Sequence, residues 1–208
     1  MKKQGLFITF EGIDGCGKTT QFNLLADHLK NCKQPCLTTR EPGGTPLSET
    51  LRSIILNPEN RSITDRTELL LYLAARVQHV EEKILPALKQ GKMVLCDRFT
   101  DATAAYQGGG RKMSPKILAP LLHFASCGLK PDMTFLFDLP VKTAYGRMKK
   151  AGKKGDRVEQ AGLLFMERVR QAYRKLAKQE PHRVCVISAE KSPEVIHRKV
   201  IQYLKERR

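Results

Sequence analysis

Tryptophan is absent from the 208 residues, and only eight phenylalanines and five tyrosines stand in its place. A basic nucleic-acid binder would therefore lack the aromatic platforms on which bases stack, and no specific nucleic-acid partner is expected. No apolar run approaches the roughly 18 residues that a membrane span requires. The stretch MKKQGLFITFEG starts basic, but its apolar part stops at Glu11 and lacks both the length and the cleavage pattern of a secretory signal. A cytoplasmic chain with no membrane partner is expected. Six cysteines fall without a regular framework, which suits reduced thiols. His28, Cys32 and Cys36 stand four apart, yet Pro35 breaks a helix there and no fourth ligand is evident, so zinc is not expected. Acidic residues are few, 21 against 37 basic ones. That excess fits a solvated surface, anionic nucleotide substrates or incidental polyanion affinity, and charge alone does not choose.

What is present reads as one α/β unit, since this length supports a single well-buried core. Apolar, β-branched runs recur at 6–11, 35–39, 93–97, 133–139 and 183–188, with helical patterns between them. Alternation of this kind predicts a parallel sheet covered on both faces. The clearest helix runs from a Thr64 N-cap to Gly91, with Leu69, Leu73, Val77, Val80, Ile84 and Leu88 on the core face and Pro86 kinking its last turns. Tyr72 and Arg76 lie four apart on a neighbouring face, so a ring and a guanidinium project together. A second helix is expected over 156–179, carrying Val158, Gly162, Phe165, Val169, Ala172 and Leu176 on one side and Arg168, Arg170, Arg174 and Lys178 on the other. Before it, GRMKKAGKKGDR has no apolar period and reads as an exposed mobile segment.

Between the first strand and the first helix lies Gly12, Ile13, Asp14, Gly15, Cys16, Gly17, Lys18, Thr19, followed by Thr20. This is the complete G-x-x-x-x-G-K-[ST] pattern in its required strand-to-helix context. Glycines let backbone N–H groups turn inward toward phosphate, and the helix N-terminus adds its positive dipole end. Lys18 is expected to reach the β- and γ-phosphates, and the Thr19 hydroxyl to ligate Mg²⁺. Cys16 fills a small-residue position. A thiol beside lysine at a helix N-terminus could also have a lowered pKa, which would make it redox-sensitive. The Asn-Lys-x-Asp pattern of a guanine-specific switch is missing.

VLCDRFTDATAAYQGGGR, residues 94–111, narrows the chemistry. A strand ending in Asp97 sets a carboxylate at the sheet's carboxyl edge, where Mg²⁺ or its water could be held. Arg98 follows at once and suits a bidentate grip on phosphate. Together with FEGIDGCGKTT, TREPGGTPLSETLR, LYLAARVQHVE and GDRVEQAGLLFMERVRQAY, this block resembles bacterial thymidylate kinase, in order from about residue 5 to residue 179.

That resemblance implies a P-loop nucleoside monophosphate kinase fold: a three-layer α/β domain spanning 1–208, with a five-stranded parallel sheet and a small lid at about 147–157. It implies transfer of the ATP γ-phosphoryl to dTMP, giving dTDP, with Mg²⁺, in a homodimer. Tyr72 would stack on thymine where the family commonly has phenylalanine, and Arg76 would bond the base edge. Thr103 and Gln107 would help hold the nucleotide, while Tyr106 would crowd the ribose 2′ position. Asp14 would sit near the sugar 3′-OH and the phosphates, and Arg98 and Arg52 would clamp the acceptor phosphate. No arginine occupies the phosphate loop, so the lid must supply the charge that neutralises the transferring group; the candidates are Arg147, Lys150, Lys153 and Arg157, with Arg147 also able to cover adenine. Lysines replace most of the arginines expected in that lid, and Ala102 stands where serine is frequent. The apolar excess in SIIL and ELLLYL fits a dimer interface or burial in the monomer equally.

Overall fold

A computed structural model describes residues 5–152 and 156–206. Five strands form one sheet: β1 (Phe7–Glu11), β2 (Cys36–Arg40), β3 (Met93–Asp97), β4 (Met133–Asp138) and β5 (Val184–Ser188). Their order is β2-β3-β1-β4-β5, and every pairing is parallel. All five residues of β1 are buried, because helices cover both faces at the centre, whereas β2 and β5 expose residues at the edges. Phe10 lies at the heart of the core, packed edge-on to Phe22 and stacked near Phe137. The expected order of strands and helices is therefore realised, with strand limits moved by a residue.

The helices are α1 (Lys18–Asn31), α2 (Pro46–Leu56), α3 (Asp65–His79), α4 (Leu85–Lys89), α5 (Thr100–Thr103), α6 (Pro115–Ala125), α7 (Val141–Lys150), α8 (Leu163–Gln179) and α9 (Pro193–Glu206). Thr64 caps α3 as expected, its hydroxyl accepting from Thr67 N. The long pattern over 64–91 is not one regular helix, since a π-helical turn at Val80–Ile84 joins α3 to α4. Pro86 has no N–H for the preceding turn, and a widened turn ahead of it relieves the ring's clash with that turn's carbonyl. The expected core face holds, except that Val77 is only half-buried. The second long helix starts at Leu163 rather than 156, because Gly162 adopts φ +93°, which ends the preceding short 3₁₀ turn and cannot continue into a helix. Phe165, Met166, Val169, Tyr173 and Ala177 form its buried stripe, and Leu176 stays half-buried.

Candidate active site

The carboxyl ends of β1 and β3 lie side by side, and the segments leaving them build a cleft of about 260 Å³. Gly12, Gly15 and Gly17 turn the chain after β1 with φ of +139°, +77° and +92°. A Cβ at Gly12 would stand 2.6 Å from the Phe137 carbonyl oxygen, and one at Gly15 would stand 2.6 Å from that of Ala144. Helix α1 then begins at Lys18 with no side-chain cap and no acidic residue in its first turn. Its leading N–H groups thus face the loop without a competing side-chain acceptor, the arrangement that receives phosphate oxygens. Lys18 Nζ donates to Gly12 O at 3.0 Å and Ile13 O at 3.1 Å, and lies 3.7 Å from Asp14. Thr19 and Thr20 are exposed at the same mouth.

Arg98 occupies a strained backbone position, φ +71°, immediately after β3. A side chain there costs roughly 1–2 kcal/mol, and the conformation persists where its surroundings over-determine it. Arg98 Nη2 donates to Asp14 Oδ1 at 2.7 Å and to the Tyr106 hydroxyl at 3.0 Å, and Nη1 donates to the Tyr173 hydroxyl at 3.2 Å. Tyr106 in turn donates to Asp14 Oδ2, and the guanidinium lies 4.8 Å from the Tyr106 ring centroid. Burial alone would raise the Asp14 pKa, but Arg98 and then Lys18 hold that carboxyl well below the ordinary range. Arg98 thereby ties the turn after β3 to the phosphate loop.

Tyr72 and Arg76 both line the cleft, as their four-residue spacing on α3 predicts. Arg76 is not a solvated residue: it is 2% exposed. Its Nε donates to Glu41 Oε2 at 2.7 Å, and its Nη2 donates to Phe99 O and Thr103 Oγ1, both at 3.0 Å. Its Nη1 is buried with no partner among the described residues, and Arg76 is one of the residues lining the cleft. Glu41 is held below its ordinary pKa despite burial, chiefly by Arg76 and then by His79. His79 also meets Thr39 Oγ1 at 2.6 Å.

Gln107 Nε2 donates to Glu68 Oε1, and the same carboxylate accepts from Arg111 and Arg157. Arg157 reaches it at 2.6 Å and also donates to Ile55 O. This sets Arg157 against α2 and α3, between Asp156 and Val158, which line the cleft. Arg52 lines the cleft and donates to Pro42 O at 2.8 Å. Arg147 and Lys150 are exposed on α7 and do not line this cleft, and Lys153 falls outside the described residues.

Asp97 Oδ1 is buried with no partner among the described residues, and Asp97 and Thr19 line the same two cavities. A carboxylate and a hydroxyl oxygen facing a phosphate site fit a hard cation such as Mg²⁺, which takes few protein ligands and keeps water. Among the described residues no group of three or more His, Cys, Asp or Glu could hold a metal, in keeping with His28 and Cys32 forming only a 3.8 Å contact. Cys16 is 1% exposed, and burial pushes its thiol pKa up, outweighing the nearby Lys18. The lowered pKa considered for it is therefore not realised.

Several buried carboxylates of the site were not singled out by sequence reasoning: Glu11, Glu41 and Glu68, together with Phe99 and Arg111. Each carboxylate interrupts an apolar pattern or a turn-rich block, and that interruption was the available signal. Their partners lie 35 to 162 residues away in the chain, beyond any local spacing.

Residues 10–200 match the family model described as thymidylate kinase. The thymidylate kinase of Geotalea uraniireducens (strain Rf4) is 52% identical over 188 residues, covering 88% of each chain. That of Pseudomonas putida (strain GB-1) is 48% identical over 196 residues, covering 94% of this chain and 93% of the relative. A crystal structure of thymidylate kinase from Ehrlichia chaffeensis superposes with a TM-score of 0.80 at 35% identity, covering 97% of this chain and 99% of that one. A family model matched over residues 10–200, relatives about half identical over nearly the full length, and a shared fold mean that the chain belongs to the thymidylate kinase family.

Proposed function

We infer that dTMP lies in the cleft with its phosphate at Arg98 and its base over Tyr72, and that the whole chain works as one kinase domain. The reaction is the family's: the γ-phosphoryl of ATP passes to dTMP, giving dTDP and ADP. The observation that carries this reading of the site is the 2.7 Å bond from Arg98 to Asp14, which joins an anion-gripping guanidinium to the phosphate loop. Arg52, on the same cleft, is a second cation for the acceptor phosphate. Tyr72 offers a ring face, and Arg76, whose buried Nη1 has no partner among the described residues, would bond the base edge, with Thr103 and Gln107 lining the same cleft. Tyr106, bonded through its hydroxyl to both Asp14 and Arg98, would crowd a ribose 2′-OH and so favour deoxyribose.

No dedicated base is required, because a phosphate monoester with its second pKa near 6 is largely dianionic at neutral pH. The chain's part is to position the two phosphates and neutralise their charge. Gly12, Asp14, Gly15, Cys16, Gly17, Lys18, Thr19 and Thr20 form the donor cradle. Thr19 and Asp97 would hold Mg²⁺, which screens the phosphate oxygens when bound. Arg147, Lys150 and Lys153 remain our candidates for the charge that meets the transferring phosphoryl from the lid. Arg157, given its bonds to Glu68 and Ile55 O, serves the acceptor side.

We further propose a homodimer. Leu70 on α3 is 59% exposed, Ile117 and Phe124 on α6 are 57% and 76% exposed, and the two helices contact each other; exposed apolar side chains gathered in this way are of the kind that marks an interface. No helix of the described residues is long and apolar enough to cross a membrane.

The test is a panel of acceptors with Mg·ATP, reading ADP and nucleoside diphosphate together. Preference for dTMP is expected, and preference for dUMP, CMP or thymidine would overturn the acceptor assignment. Replacing Arg98 or Tyr72 separately is expected to raise the KM for dTMP while ATP binding is retained; normal turnover in both variants would remove the site model. Sedimentation of Phe124→Glu as a monomer would support the dimer face.

A further inference from the structure

We propose that Glu11 and Tyr173 are positioning residues for Arg98, holding it from behind at both its backbone and its guanidinium. Glu11 is the last residue of β1 and is fully buried. Its Oε1 accepts from Phe99 N at 2.7 Å, which pins the peptide directly after Arg98. Its Oε2 accepts from the Tyr173 hydroxyl at 2.7 Å, and that hydroxyl accepts from Arg98 Nη1 at 3.2 Å. One carboxyl group thus reaches the arginine along two routes, one through the main chain and one through the phenol supplied by α8. Two further bonds hold the main chain of the turn, Arg98 N donating to Phe10 O and the Cys96 thiol donating to Arg98 O. Neither of them touches the side chain.

The strained φ of Arg98 gives this arrangement its purpose. A left-handed arginine relaxes toward ordinary backbone geometry unless neighbours hold it. Relaxation would swing the guanidinium away from the phosphate loop, since the side-chain direction follows the Cα–Cβ vector. On the cleft side, Asp14 and Tyr106 hold Nη2, and these are the partners with which an incoming phosphate must compete. The contacts of Glu11 and Tyr173 lie on the far side and stay in place whatever fills the cleft. Asp101, the other acidic group near Glu11, is bound bidentately by Arg183 and is not available to replace it.

The inference rests on Arg98 being the acceptor-phosphate clamp, and the experiment separates the two claims. Steady-state kinetics with dTMP and ATP varied independently would compare Glu11→Leu, Glu11→Gln, Tyr173→Phe and Arg98→Lys. Glu11→Leu removes both acceptors and is expected to raise the KM for dTMP about tenfold or more while that for ATP stays near wild type. Glu11→Gln keeps an oxygen for Phe99 N and is expected to recover most of the lost affinity. Tyr173→Phe is expected to raise the dTMP KM in the same selective way, and it decides the matter if Glu11→Leu does not fold. Unchanged dTMP KM in Tyr173→Phe, equal loss for both substrates in Glu11→Leu, or no recovery in Glu11→Gln would overturn the proposal. If Arg98→Lys leaves the dTMP KM unchanged, the clamp assignment itself fails.

Discussion

Glu41 and Arg76 form an ion pair almost wholly removed from water, at 2.7 Å. Taking one charge from a buried pair leaves the other uncompensated, which commonly costs about 3–5 kcal/mol. Glu41→Gln keeps the shape and retains hydrogen-bonding capacity, so a loss toward the lower end, about 3 kcal/mol, is expected in urea unfolding, together with a higher KM for dTMP as Arg76 loses its anchor. Cys16 makes the opposite point. Burial raises its thiol pKa, so both access and thiolate fraction are low. Of the six cysteines, Cys32 and Cys127 are exposed. Alkylation of the native enzyme should therefore label those two first and leave activity within about twofold; rapid inactivation with ATP protection would contradict this.

The phosphate loop is governed by the room its glycines leave. Alanine at Gly12 or Gly15 would meet a neighbouring carbonyl oxygen at 2.6 Å while occupying a left-handed backbone. Backbone cannot yield as a flexible side chain does, so either substitution should raise the KM for ATP by at least about tenfold and lower Tm. Isothermal titration with an ATP analogue would check the first effect separately from catalysis. This loop, the Thr64 cap and the succession of strands along the chain were all legible in the sequence, because each depends on residues adjacent in the chain. The π-helical turn before Pro86 and the start of α8 at Leu163 were not. A proline reveals that a helix is perturbed without revealing whether it kinks or widens, and apolar spacing continues across Gly162 without registering its positive φ. The three-way bonding at Glu68 was hidden for a different reason, since its donors come from 39, 43 and 89 residues away.

For the molecule as a whole, the acids in and behind the cleft set the response to pH, and they pull in opposite directions. Asp14, Glu41 and Glu68 have folded pKa values below their ordinary ones, so their stabilisation is present near neutrality and is lost as pH falls through the acid range. Glu11 is pushed up from 4.5 to about 8, first by burial and then by Asp101. The folded state thus holds a proton that the unfolded chain releases, and stability declines as pH rises from about 4.5 to about 8, by about 1.4 kcal/mol per unit at most. Glu11→Gln removes that titration, so its Tm relative to wild type should climb between pH 6 and pH 9. A constant difference across that range would count against the buried, proton-holding carboxyl.

The neighbouring ends of β1 and β3 carry a further consequence. The loop that cradles the donor and the turn that carries Arg98 leave adjacent strands of one sheet, paired from Phe7 with Val94 to Phe10 with Asp97. Paired strands lie only about 4.8 Å apart and share their ladder, so neither can fray while the other keeps its shape. Heating should therefore abolish affinity for both nucleotides at one common temperature, and titrations near the transition should never catch a half-competent species that retains one ligand and has lost the other.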